Sequence, residues 1–125
     1  MALPSLLALA ACSTDTVGVT QSQTRPSYDG IEARLLESDL ISVRVALSDA
    51  TRADALAYAE CAAAQYTLDR RANFARHIRT NVAEAPTGIE ADAVYLIAQS
   101  LPRGSKTIDA EVVVAACSAS GIPTV

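Results

Sequence analysis

Tryptophan is absent from the 125 residues, phenylalanine occurs once and tyrosine four times. A core must then be built from Ala, Val, Leu and Ile, with little ring surface to fill gaps. Lysine and histidine each occur once, as Lys106 and His77, and nine of the ten basic residues are Arg. The net charge of −4 runs against the basic stripe that nucleic acid requires, so no nucleic-acid partner is expected. No apolar run approaches the ~20 residues of a membrane-spanning helix. The five glycines stand apart from one another, which excludes a Gly-rich phosphate loop. With one His and no CxxC spacing, no metal site is expected. No cofactor is implied either. There is no GxSxG elbow to support Ser/His/Asp chemistry, and no catalytic residue is assigned.

What the sequence does have begins at its first residues, "MALPSLLALAAC". Residues 2–11 are almost wholly apolar, then Cys12 appears and the polarity changes at once. The length matches the h-region of a signal peptide and is too short to span a bilayer. Leu9-Ala10-Ala11-Cys12 resembles the lipobox of bacterial lipoproteins, in which small residues admit the peptidase and the Cys thiol receives a diacylglyceryl group. Two or more acyl chains anchor stably, since each buried CH2 adds roughly 0.8 kcal/mol. No Lys or Arg precedes the stretch, where a signal normally has a charged n-region. That leaves a start upstream of Met1 or a weak signal. Ser13 after the Cys favours, by the same resemblance, the outer membrane. The expected organisation is a signal peptide over 1–11, a lipidated Cys12 with a flexible tether to residue 30, and one globular domain over 31–125. The tether is rich in Ser, Thr and Gln, with Gly18, Pro26 and Gly30, and has no sustained hydrophobic period.

In "LISVRVALS", Ile41, Val43, Val45 and Leu47 share one face and Ser42 and Arg44 the other, the pattern of a half-buried strand. "IEARLLES" is its expected hairpin partner. Thr51-Arg52-Ala53-Asp54 approximates a capping box and opens an Ala-rich, Gly- and Pro-free helix through "LDR". In "NFARHIRTNV", the spacing of Phe74, Ile78 and Val82 fits a helix and equally one face of a strand; the turn signal "EAPTG" and the clear strand "ADAVYLIA" that follow favour a strand. "KTIDAEVVV" reads as the last strand, and "AACSASG" as a short helix stopped by Gly121. The order β-β-α-β-β-β-α implies an α+β fold of two layers: a mainly antiparallel sheet, one Ala-rich helix on one face, and a short C-terminal helix.

If Cys12 is lipidated, two cysteines remain. Cys61 and Cys117 both fall on expected helices, and an exported chain meets an oxidising compartment, so a Cys61–Cys117 disulfide is expected rather than two buried thiols. The candidate chemistry lies in "RRANFARHIRT". Arg76, His77 and Arg79 form a candidate anion site, with His77 and Arg79 on one strand face and Arg76 opposite. The plainer alternative is a solvated face whose Arg side chains pair with Glu111, Asp109, Glu90 or Asp92. Tyr58, Tyr66 and Tyr95 are expected in the core.

The lipobox, the tether, the Ala-rich helix ending in "LDRRANFARH" and the closing "CSASGIPTV" together resemble the small uncharacterised lipoproteins of alphaproteobacteria. Such proteins often carry Gly at the break where Arg71 stands here. The resemblance implies a location and an architecture and assigns no activity. The expectation is therefore a non-enzymatic envelope lipoprotein, facing the periplasm from the outer membrane. Its partners would be the membrane, through Cys12, and another envelope protein. The alternative is a small-anion or ligand-binding domain, or a hydrolase, centred on His77 and the Arg cluster.

Overall fold

A computed structural model describes residues 25–124; Cys12, the signal segment and most of the tether lie outside them. Two hairpins and two helices follow in the expected order: β1 (Ser27–Glu37), β2 (Leu40–Ser48), α1 (Arg52–Asp69), β3 (Phe74–Ala85), β4 (Gly88–Ala98), β5 (Thr107–Asp109) and α2 (Ala110–Ala119). The strands form one antiparallel sheet in the order β1-β2-β4-β3-β5. The α+β, two-layer reading holds. Strand β1 begins at Ser27, four residues inside the segment read as tether, because Tyr28 already packs edge-on against Tyr58 with centroids 4.7 Å apart.

The inner face of the sheet carries the alternation expected of "LISVRVALS": Ile41, Val43 and Val45 are fully buried and Leu47 almost so. Their partners across β4 are Tyr95, Ala93, Ala91 and Ile89. Onto this surface α1 lays Ala55, Tyr58, Ala59, Ala62 and Ala63. A methyl-sized side chain at four of those five positions lets the helix sit close to the sheet, which is how a chain poor in rings reaches native packing density. Gly88 marks a similarly close approach, since a Cβ there would fall 2.6 Å from the Leu47 carbonyl oxygen.

The ends of α1 are built from local hydrogen bonds. The Asp54 amide donates to Thr51 Oγ1 (3.1 Å) and the Thr51 amide to Asp54 Oδ2 (2.8 Å), completing the capping box. At the other end the Ala72 amide donates to the Thr67 carbonyl and the Arg71 amide to the Leu68 carbonyl, with Arg71 in the left-handed region at φ 61°. That is a Schellman turn with Arg where Gly is usual. Helix α2 ends in the same way, and there Gly121 holds the left-handed position (φ 72°).

A second boundary differs from the sequence reading. The last strand stops at Asp109, and residues 110–114, read as strand from their three valines, are the first turns of α2. The Asp109 carboxylate accepts from the Glu111 and Val112 amides, and this cap overrides the β preference of Val112–Val114.

The Cys61–Cys117 disulfide is formed, with its Cα atoms 6.0 Å apart and a sequence separation of 56. It joins the middle of α1 to the last turn of α2, both sulfurs lying within buried residues. Such a closure contributes about 4 kcal/mol through the entropy of the unfolded chain. Among the described residues no helix is long and apolar enough to cross a membrane.

Two outcomes are expected of stability measurements. Arg71→Gly should raise the unfolding free energy measured in urea by about 1 kcal/mol, as the left-handed strain of a side-chain-bearing residue is relieved, whereas Arg71→Val should lower it. Reduction of the disulfide should remove about 4 kcal/mol; equal midpoints with and without reductant would show that the bridge adds nothing.

Candidate functional site

The segment that carries His77 is shaped by a β-bulge. Strand β3 pairs regularly with β4 from Phe74↔Ala98 to His77↔Tyr95, then skips Ile78 and resumes at Arg79↔Val94. A single extra residue reverses the side-chain parity beyond it. His77 therefore points to the inner face with Ala75 and Thr80, while Arg79 joins Arg76 on the outer face. The expected sharing of one face by His77 and Arg79 is thus corrected, and the candidate set Arg76, His77 and Arg79 is divided between the two sides of the sheet. The same bulge leaves Phe74 and Val82 on opposite faces and Ile78 46 % exposed.

On the inner side, a cleft of about 450 Å³ opens where β3 runs out from under α1. Its floor is His77, Thr80 and Tyr95, with Leu56 and Glu60 contributed by α1. Lys106, Thr107 and Ile108, at the entry to β5, close the third side. A hydrogen bond of 2.6 Å links His77 Nε2 and Thr80 Oγ1, and the His77 ring meets Tyr95 edge-on, with centroids 5.2 Å apart. The His77 amide donates to the Lys106 carbonyl (3.0 Å), which fixes the end of the β4–β5 loop against β3. Lys106 itself is held at φ 65°. The Tyr95 phenol is pushed above its usual value by burial, and the Glu60 charge acts in the same direction. Tyr58 is raised too, by burial and then by Tyr28 and Asp29. Both tyrosines are buried as expected, and Tyr66 packs against the core from its margin.

Among the described residues no helix lies over the outer face. One row across four strands reads Glu32, Arg44, Asp92, Asn81, and the next reads Arg34, Ser42, Val94, Arg79. Arg44 donates to Asp92 Oδ2 at 3.3 Å, and Arg34 to Glu32 Oε1 at 2.6 Å, which holds the Glu32 carboxyl below its usual range. Asp92 is thus taken by Arg44 of β2, not by an Arg of β3, and Asp109 is occupied in capping α2. Among the described residues no ion pair joins Arg70, Arg71, Arg76 or Arg79 to Glu90, Asp92, Asp109 or Glu111. Arg76 is tucked beneath the β4–β5 loop at Gly104, opposite Thr107 in the β5 ladder. Its Nε and the Thr107 hydroxyl are both buried without a hydrogen-bond partner.

The inner site was half visible in the sequence. His77 was singled out, but Glu60, Thr80, Tyr95 and Lys106 were not joined to it. The one signal pointing to Lys106 was its standing as the only Lys in an Arg-rich chain. Among the described residues no group of three or more His, Cys, Asp or Glu is placed to hold a metal ion.

The phenols supply a pH test. A group whose folded pKa lies above its unfolded value stabilises the fold below the unfolded pKa and ceases to do so as pH rises. Stability should therefore decline as pH climbs past about 10. Ultraviolet titration should show phenols that stay neutral at that pH until the domain unfolds, and Tyr95→Phe should remove part of this delayed absorbance. Ionisation of all four tyrosines near the free value in the folded protein would contradict the burial of Tyr95.

Compared with known proteins, residues 28–121 match the family model described as the YNQ4 C-terminal domain, a span that takes in every element except the first residue of β1. No curated protein and no solved structure matches the chain.

Proposed function

The chain belongs to the YNQ4 C-terminal domain family, and we propose that it is an exported envelope lipoprotein whose domain is a non-enzymatic interaction module. In this reading Cys12 carries the lipid, residues up to about 26 are the tether, and the domain faces the periplasm from the outer membrane. The observation that carries it is the Cys61–Cys117 bridge. Disulfides persist in oxidising compartments, and with these two cysteines joined, Cys12 is the remaining thiol of a chain with three. An unpaired exported Cys directly after Leu9-Ala10-Ala11 is the residue a lipid would take. The outer face, with Glu32, Arg34, Arg44 and Asp92 set in alternating charge, suits a polar contact with another envelope protein. Exposed pairs of this kind contribute at most about 1 kcal/mol to the fold, and they set partner choice and encounter rate instead.

Palmitate labelling tests the anchor. Wild-type chain produced in a bacterium should take up label, accumulate as precursor under globomycin, and lose the label in Cys12→Ala. An unlabelled wild type would overturn the proposal.

A further inference from the structure

Glu60 and Lys106 stand on different walls of the inner cleft, one from α1 and one from the β4–β5 loop. Neither takes part in an ion pair among the described residues. They are therefore two opposite charges facing a shared space without meeting across it. The rest of the lining includes the rings of Tyr95 and His77 and the apolar residues Leu56 and Ile108. Leu56 is 40 % exposed, an apolar group left uncovered at the mouth. The volume, about 450 Å³, lies within the range of small-molecule sites.

From this arrangement we propose that the cleft binds a small zwitterion with an apolar body, of the amino-acid or dipeptide class. Its carboxylate meets Lys106, its ammonium group meets Glu60, and its aliphatic part lies on Tyr95 and Leu56. A simple anion is disfavoured by Glu60 and a simple cation by Lys106, whereas a ligand carrying both charges satisfies both walls. The floor is already ordered to receive it. The His77–Thr80 hydrogen bond fixes the imidazole, and the bond from the His77 amide to the Lys106 carbonyl fixes the backbone that carries the ammonium group. Such pre-ordering reduces the entropy lost on binding. The buried, neutral Tyr95 phenol adds a donor beside Glu60 without adding charge. The site needs neither lipid nor partner, so it stands whether or not Cys12 is acylated.

The test uses the full chain with Cys12→Ser, followed by amide-resolved NMR, with Leu-Leu as the probe. Millimolar Leu-Leu should shift the amides of His77, Thr80 and Lys106. N-acetyl-Leu-Leu, which lacks the ammonium group, and Leu-Leu amide, which lacks the carboxylate, should each bind about tenfold more weakly, the loss of one charge-assisted contact. Lys106→Gly suits the left-handed backbone and should abolish the difference between Leu-Leu and its amide. Glu60→Gln should abolish the difference between Leu-Leu and its acetyl derivative. The dispersion of each variant's spectrum reports that it is folded. Absence of shifts with Leu-Leu would overturn the proposal. So would equal binding of all three probes, the mark of a merely apolar groove, or undiminished binding of the acetylated probe, the mark of an anion site.

Discussion

The close seating of α1 on the inner face of the sheet is the constraint from which the rest follows. With almost no aromatic rings available, the core reaches its density by bringing alanine methyls against valine and isoleucine. A helix seated that closely covers β2 and β4 more fully than β3. Beyond Ala75 the inner face of β3 is only partly covered, and the cleft opens at His77 and Thr80. The site is thus a by-product of how the core is packed.

The bulge at Ile78 decides what that space contains. A regular β3 would present Arg79 to the inner face along with His77. Skipping one residue sends Arg79 to the outer face, where Arg76 already lies, and brings Thr80 beneath the imidazole. The inner side is left with one base, two hydroxyl groups and two separate charges. The outer side becomes a polar sheet surface with charges in alternating rows. Two surfaces of different chemistry therefore come from a single inserted residue.

Much of this fold could be read from the chain. The alternation of Ile41, Val43, Val45 and Leu47, the capping box at Thr51 and the stop at Gly121 each have a local cause that one sequence displays, and the pairing of Cys61 with Cys117 follows from cysteine count once Cys12 is set aside. The parts that could not be read have non-local causes. A bulge leaves no mark in residue order, so the faces of β3 were assigned by simple parity and came out wrong beyond His77. Asp109 was legible as a cap in principle, but three following valines outweighed it. The union of Glu60, Tyr95 and Lys106 with His77 depends on β4 lying between β2 and β3, which local pattern does not reveal.

The disulfide has a mechanical consequence when the chain is pulled at its ends. The bridge spans from the middle of α1 to the end of α2, so β3, β4 and β5 all lie inside the closed loop. Tension applied between the two ends of the chain passes through the sulfurs and bypasses that loop. About 190 Å of extended chain, at roughly 3.4 Å per residue over 56 residues, is shielded from stretching. Among the strands only β1 and β2 lie in the path of the load, with the first half of α1 and the residues after Cys117. The half of the molecule that holds His77, Thr80, Tyr95 and Lys106 bears no load along its chain, although Glu60, one residue before the bridge, sits at the boundary where the load leaves the backbone.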